Sequence, residues 1–258
     1  MSGREDMDRY SGMAGGTWSP PAPQLLKDVL MLIVGYRADR QTLADLLPPG
    51  LEPHESGLVQ MNMYECPDPG QTSGFGAFSL TYLTIEVAGH DSFAADGALA
   101  IPGRFWVGYW ASSARVRTYA RETSGIPALP GECTWTHEGA ELTSRLSIDG
   151  APAIEVVAEV GTQDVGVLGG HLNYYAHREV PAAGGGANAI SELLEIPIPF
   201  VAQLREAQVR DVSFHFPEGS PFARLAPVAP LEIGGVLHGR VTFTYSMARQ
   251  LRDYLASP

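Results

Sequence analysis

Residues 101–111 read Ile-Pro-Gly-Arg-Phe-Trp-Val-Gly-Tyr-Trp-Ala, and this aromatic stretch is the strongest indication of the fold in the chain. Aromatic residues favour β-strands. The Pro102-Gly103 turn in front of them sets a boundary. We therefore predict a strand over residues 104–110 and a helix over residues 111–122 that follows it.

Short apolar runs bounded by turn residues predict further strands on both sides of this stretch. Asp149-Gly150 is a strong hairpin signal, and Gly184-Gly185-Gly186 predicts a flexible loop. Asp39 is expected to cap a short helix that ends at Pro48, and another short helix is expected at the C-terminus. The predicted strands cover residues 29–36, 58–65, 75–87, 142–148, 153–160, 209–216 and 240–245.

The number of strands indicates the fold class. Many strands, frequent turns and few helices predict a mainly β (α+β) protein built as a closed or nearly closed barrel. Residues 1–23 contain Gly, Ser, Pro and scattered charges without an apolar period, so we expect a flexible N-terminal arm. No repeat or linker divides the rest, which predicts one domain over residues 24–258.

Composition and charge narrow the classes of partner. Hydrophobic residues make up 45% of the 258 residues and charged residues 18%, which is typical of a globular protein. The formal net charge of −12 argues against nucleic acid and membrane surfaces as partners. No apolar run reaches transmembrane length and the first residues are polar, so we expect a cytoplasmic protein.

Cysteine, lysine and histidine usage limits the chemistry. Cys66 and Cys133 are the only cysteines, and we expect two reduced thiols. Lys27 is the one lysine among 17 basic residues, so imine chemistry would need Lys27 or the N-terminus. His171 and His177 would lie on the order of 20 Å apart along a strand, too far to share a metal ion. We predict no metal and, without nucleotide or nucleophile motifs, no cofactor.

Several stretches occur in the order and spacing of a known family. The chain resembles the acetoacetate decarboxylase family over about residues 25–255. The resemblance implies a cone-shaped antiparallel β-barrel with a few short helices around an apolar cavity, in a homo-oligomer. It rests on Tyr36-Arg37-Ala38-Asp39, residues 46–52, Gly74-Phe75-Gly76, residues 101–111, residues 211–215 and residues 225–231.

The resemblance breaks at the family's catalytic residues. In the family, an aromatic residue and a proline precede two lysines, and the first lysine forms an imine with a β-keto acid. Tyr109 and Trp110 take the first two positions here, and Ala111 and Ser112 replace the lysines. An alanine cannot form an imine.

The family's other charged positions are also changed. The arginine of the first strand falls on Val29, and the two glutamates fall on Asn62 and Leu80. Losing the whole set while keeping the scaffold favours a different, more apolar ligand.

Three residues are the candidates for catalysis. Tyr109, beside the lost lysine, is the best candidate for a general acid or hydrogen-bond donor. Tyr82 can donate to a carbonyl or enolate oxygen, or it is a plain core tyrosine. Asn62 can orient a carbonyl, or its strand face is turned to solvent.

The candidates for substrate binding come from the same strands. Arg104 lines the cavity or forms a structural ion pair with Glu155 or Glu65. Trp106 and Trp110 form an apolar wall or pack in the core. Lys27 reaches the cavity mouth or is exposed. The full set of binding candidates is Gln60, Tyr64, Phe78, Leu80, Arg104, Trp106, Trp110 and Ala111.

Two classes of function follow. The first is a cofactor-free enzyme of polyketide-like secondary metabolism, whose apolar cavity promotes a cyclisation, dehydration or other lyase step. A pericyclic closure is a specific form of it, because such a reaction needs shape and a hydrogen bond but no charged catalyst. The second is a non-catalytic binder of an apolar small molecule. A decarboxylase with a mechanism that uses no lysine is a further alternative.

Overall fold

The computed structural model describes residues 23–92 and 101–256. The expected arm over residues 1–23 lies outside this range except for Pro23, so it stays a prediction. Two α-helices, α1 and α2, two short 3-10 helices, Pro69–Gln71 and Pro221–Leu225, and eleven strands, β1–β11, make up the regular structure of the described residues. In chain order they are β1 Gln24–Arg37, α1 Arg40–Leu46, β2 Leu58–Cys66, β3 Phe78–Val87, β4 Gly103–Ala111, α2 Ala114–Ser124, β5 Ala128–Pro130, β6 Glu132–Glu138, β7 Glu141–Ile148, β8 Ala151–Pro181, β9 Asn188–Phe214, β10 Ile233–Tyr245 and β11 Arg249–Asp253.

The strands form a ring. Their order is β1, β2, β3, β4, β8, β9 and β10, and β10 pairs back onto β1. The pairings are antiparallel except between β4 and β8, where Arg104 and Phe105 lie beside Tyr174 and Tyr175 in parallel register. The predicted mainly β fold is therefore confirmed, and the ring departs from a wholly antiparallel barrel at one contact.

Two apolar cores lie on opposite sides of the ring wall. One fills the inside of the ring, and the other lies between the wall and the β6–β7 hairpin. Side chains alternate along β1, so Met31 belongs to the inner core while Leu32 and Val34 belong to the outer one. All ten residues of β3 are buried, including the four polar ones, Ser79, Thr81, Thr84 and Glu86, because the strand has a core on each face.

Local sequence signals explain most element boundaries. The Asp39 side chain accepts a hydrogen bond from the Thr42 backbone N–H at 2.8 Å and caps α1. Asp149 and Gly150 both have positive φ, 51° and 79°, as a two-residue hairpin of type I′ requires. Helix α2 starts three residues later than predicted, at Ala114, because Ser113 caps it.

One predicted element is wrong. The C-terminal segment is not a helix but strand β11, which pairs with β9. The free edge of β9 supplies backbone partners there, and Arg249 forms an ion pair with Glu195 at 2.6 Å. None of the helices in the described ranges is long and apolar enough to cross a membrane.

Candidate active site

An apolar cavity of about 100 Å³ lies inside the ring, and we call it the inner cavity. Aliphatic and aromatic side chains of β1, β8, β9 and β10 form most of its wall. A few polar side chains interrupt this wall, which is the usual composition of a small-molecule site. They are Asn62, Tyr82, Arg104, Tyr174 and Tyr245.

A wider chamber of about 470 Å³, which we call the mouth, adjoins the inner cavity. The two share Ile33, Ile101, Arg104 and Leu237 in their walls. Polar side chains of Gln60, Glu86 and Glu206 also line the mouth, so it is more polar than the inner cavity. The pair provides a polar chamber in front of an apolar one.

Buried tyrosines supply hydroxyl groups to the inner cavity. The Tyr82 and Tyr174 hydroxyls are 2.9 Å apart, and those of Tyr64 and Tyr245 are 3.4 Å apart. Burial raises the pKa of Tyr82 and of Tyr245 well above the ordinary value for a phenol. These hydroxyls therefore stay neutral at pH 7 and can donate hydrogen bonds to a carbonyl oxygen or a developing oxyanion.

Tyr109 lies one layer behind the inner cavity. Its ring stacks on Tyr82, with centroids 6.2 Å apart, and its side chain shares a small pocket with Tyr245. Burial raises the pKa of Tyr109 as well. Tyr109 and Tyr82 lie side by side, but Tyr82 and Tyr245, rather than Tyr109, line the inner cavity.

Asn62 lines the inner cavity and is buried. Its amide nitrogen donates to the Met31 sulfur at 3.1 Å, while its amide oxygen has no partner among the described residues. An unsatisfied buried acceptor costs about 1–3 kcal/mol. The free oxygen is thus available to a hydrogen-bond donor on a ligand.

Arg104 lines both chambers and is only 7% exposed. The suggested ion pair with Glu155 or Glu65 is not formed, because Glu155 binds Arg145 and Glu65 lies more than 4.0 Å from any cation in the described chain. Within residues 23–92 and 101–256, no carboxylate lies within 4.0 Å of Arg104. Its Nε atom is buried and has no hydrogen-bond acceptor in these residues. Its guanidinium is therefore open to an anionic oxygen of a ligand.

Glu86 is a candidate that the sequence reasoning missed. It is 6% exposed, lines the mouth and accepts hydrogen bonds from Gln60 Nε2 at 2.8 Å and Ser56 Oγ at 2.7 Å. The signal was present, because Glu86 is the one charged residue in the strand 78–87. A carboxylate in a fully buried strand usually has a specific role.

The remaining binding candidates lie around the chambers at different depths. Gln60 reaches the mouth. Trp106 stacks on Tyr174 at 4.4 Å and forms the layer behind it. Four others pack in the inner core without lining the inner cavity; they are Tyr64, Phe78, Leu80 and Ala111.

Trp110 lies on the other side of the ring wall, which corrects the prediction that it borders the substrate. It packs in the outer core against Phe216 and Phe222, with ring centroids 5.7 and 4.7 Å away. Tyr109 and Trp110 are consecutive strand residues, so only one of them can face inward.

Lysine does not line either chamber. Lys27, the one lysine of the chain, is exposed beside a bulge that separates Leu26 from Val29 in the β1–β10 pairing. Its side chain therefore does not share the inward direction of Val29. The cysteines Cys66 and Cys133 are buried free thiols, and burial raises the pKa of Cys66 to about 12. Within residues 23–92 and 101–256, no cluster of three or more metal-ligating side chains is present.

Comparison with known proteins places the fold. The sequence profile of the family described as acetoacetate decarboxylase matches residues 12–255. A solved acetoacetate decarboxylase has a TM-score of 0.77 and 19% identity, with 99% of this chain and 100% of that chain covered. The acetoacetate decarboxylase from Legionella pneumophila also has a TM-score of 0.77, with 17% identity and 96% of both chains covered.

A third solved structure comes from a biosynthetic enzyme. The enduracididine biosynthesis enzyme MppR, complexed with pyruvate, has a TM-score of 0.65 and 17% identity, with 93% of this chain and 94% of that chain covered. At these identities the likeness shows the fold. Among curated proteins the comparison found no significant match.

Proposed function

Because the chain belongs to the acetoacetate decarboxylase family, we propose that it is a small-molecule enzyme that works on an extended carbonyl compound without forming an imine. One observation carries the proposal: the apolar inner cavity is lined by tyrosine hydroxyls, an amide and one arginine, and by no lysine. Such a site can polarise a carbonyl group but cannot form a covalent imine.

The cavity suits a reaction that depends on the folding of a flexible chain. Apolar walls hold the substrate close to its reactive conformation and so lower the entropic barrier. The hydroxyls of Tyr82, Tyr174 and Tyr245 then stabilise the negative charge that develops on a carbonyl oxygen. Asn62 orients the substrate through its free oxygen. Cyclisation, dehydration or another lyase step of a polyketide-like compound fits these groups. A pericyclic closure is the reaction among these that needs the fewest polar groups from the protein.

Arg104 supports a second candidate, a decarboxylase that uses no lysine. An open guanidinium at the border of the two chambers can hold a substrate carboxylate. The neutral hydroxyls further in would then stabilise the enolate that remains after CO₂ leaves. The non-catalytic binder stays as the alternative for a cavity that holds a ligand but does not change it.

Turnover of short linear polyketones tests the proposal. We expect the protein to accelerate the disappearance of heptane-2,4,6-trione or 3,5-dioxohexanoate and to give cyclised or dehydrated products by liquid chromatography and mass spectrometry. Release of CO₂ from the acid alone would identify the decarboxylase. If NMR shows both probes bound but unchanged, the protein is a binder.

Borohydride trapping checks the absence of an imine. Reduction in the presence of 3,5-dioxohexanoate should leave the protein mass unchanged, because no amine lines the chambers. A stoichiometric adduct on Lys27 would contradict the proposed chemistry.

A further inference from the structure

The mouth owes its size to missing side chains. Gly35 and Gly235 are opposite each other across β1 and β10 at this end of the ring. A Cβ on Gly35 would lie 2.9 Å from Gln60 Nε2, so the glycine leaves room for Gln60 to cross it. A Cβ on Gly235 would meet nothing within 4 Å, which shows open space in front of that strand.

Two buried side chains of opposite charge face this space. Glu86 and Arg104 are direct cross-strand partners in the β3–β4 pairing, and both line the mouth. Partners in this position have Cβ atoms about 4.5–5.5 Å apart and ordinarily pair when their charges are opposite. These two do not approach within the 4.0 Å of an ion pair.

Neutral donors hold the Glu86 carboxylate away from Arg104. Gln60 Nε2 and Ser56 Oγ each donate to one of its oxygens. The His54 ring is 3.9 Å from Glu86, and the Ser56 hydroxyl contacts both groups, at 2.9 Å from His54 Nδ1 and 2.7 Å from the carboxylate. A carboxylate has about four lone-pair positions, so Glu86 keeps acceptor capacity toward the mouth.

In the described ranges, Arg104 thus has no carboxylate within 4.0 Å, and Glu86 has no arginine or lysine within that distance. Burying a charge without a close partner is unfavourable, and the attraction between two opposite charges that do not touch offsets this cost only in part. A ligand that bridges them removes both penalties. The inner cavity directly behind Arg104 is apolar and would take the rest of such a ligand.

We propose that the mouth binds the polar head of the substrate, with an acidic oxygen on Arg104 and a neighbouring hydrogen-bond donor, a hydroxyl or an ammonium, on Glu86. The substrate class is then an acid that carries such a donor close to its carboxylate and an apolar remainder that enters the inner cavity. This inference rests on the proposed function in one respect, namely that the bound ligand is the substrate of a reaction. The binding itself requires no turnover.

A series of probes with the same apolar remainder tests the head group. The probes are 3-phenylpropionate (carboxylate alone), 3-phenyllactate (carboxylate and hydroxyl) and phenylalanine (carboxylate and ammonium), with binding measured by ligand-observed NMR and calorimetry. A hydrogen bond to a charged group predicts that 3-phenyllactate or phenylalanine binds about tenfold tighter than 3-phenylpropionate. The tighter of the two identifies the donor.

Variants assign each half of the head group to its residue. Glu86→Gln should abolish the advantage over 3-phenylpropionate, whereas Arg104→Gln should weaken all three probes about tenfold or more. Glu65→Gln on β2 and the exposed Arg210→Gln on β9 are the matched controls and should change nothing.

A third variant guards against a folding defect in the first two. Gly235→Leu fills the open mouth without touching either charge and should weaken every probe by at least tenfold while thermal unfolding stays normal. Equal affinity of the three probes for the wild-type protein, or no binding of any of them at millimolar concentration, would overturn the proposal. Binding without turnover of the polyketones would reject the enzyme and keep the head-group site.

Discussion

At the scale of single residues, the position of each tyrosine relative to the inner cavity decides how much its replacement by phenylalanine should lower the rate. Tyr82→Phe removes a hydroxyl that lines the inner cavity, and we expect the rate to fall roughly 10²- to 10³-fold, as for other oxyanion donors. Tyr109→Phe removes a hydroxyl one layer back and should cost about tenfold at most, since that hydroxyl does not line the inner cavity. Polyketone turnover measures both.

The matched control for this comparison is Tyr254→Phe. The Tyr254 hydroxyl donates to the Pro49 carbonyl oxygen at 2.9 Å, away from both chambers, so its loss should leave the rate unchanged. A larger loss for Tyr109→Phe than for Tyr82→Phe would mean that the reacting carbonyl lies deeper than the described cavity.

Trp110 illustrates a residue whose role changes with the face it occupies. In the outer core it is 1% exposed, so Trp110→Ala should destabilise the fold by about 3–5 kcal/mol. Because it does not border the inner cavity, the product distribution of the folded variant should be that of the wild type. Chemical denaturation measures the loss of stability, and product analysis measures the product distribution. Trp135 is only half-buried, so the control Trp135→Ala should lower the free energy of unfolding by less. Altered product selectivity in the folded variant would mean that Trp110 borders the substrate after all.

At the scale of secondary structure elements, the sequence predicted strands β1–β4, β7 and β10 and parts of β8 and β9, but not the full length of β8 and β9 or which way each residue faces. In the β3–β4 pairing Trp106 lies opposite Thr84 and Gly108 opposite Leu83, so Val107 is an unpaired bulge residue. Without the bulge, Arg104, Trp106 and Trp110 would face the same side. With it, Tyr109 and Ala111 turn inward and Trp110 outward.

Other features of the site depend on contacts between distant segments, which a single sequence does not contain. The apolar walls of β8, β9 and β10 and the Tyr174 and Tyr245 hydroxyls come together only when the ring closes. Glu86 was visible as a lone charge in an apolar strand, but its neighbour Arg104 could be identified only from the register. Local signals such as Asp39 and Asp149-Gly150 were readable because a cap and a tight turn need only adjacent residues.

The packing of β6 against β10 predicts a pH dependence of stability. His238 is 9% exposed beside Trp135 and His137, and burial, with His137 and Arg205 nearby, lowers the pKa of His238 to about 4. The unfolded chain binds this proton near pH 6.5, so the stabilisation is complete above that pH and is lost as pH falls toward 4. We expect the free energy of unfolding to fall by at most about 3 kcal/mol over this range.

Urea denaturation between pH 7 and pH 4 measures this effect. His238→Gln removes the titrating group and should flatten that part of the profile, while the exposed His137→Gln should flatten it much less. The same slope in His238→Gln as in the wild type would assign the acid sensitivity to other groups.

At the scale of the whole molecule, the outer face of β8 and β9 supports assembly. Val167 and Val201 are 72% and 56% exposed and lie on one face, since Val167 is opposite Gln203 and Gly169 is opposite Val201. Large exposed apolar side chains on a strand pair form a surface suited to another copy of the chain.

We therefore propose that the protein is a homo-oligomer that buries this face, and light scattering at micromolar concentration should give a mass above the 27.6 kDa of one chain. Val167→Asp and Val201→Asp together place two charges in the contact of each copy, which should shift the mass toward one chain because unpaired buried charges are costly. Thr136→Asp on the exposed face of β6 adds the same charge elsewhere and should not change it. Both mouth and inner cavity are built from a single chain, so the dissociated variant should keep the probe affinities. Loss of affinity together with dissociation would instead mean that a second copy completes the mouth.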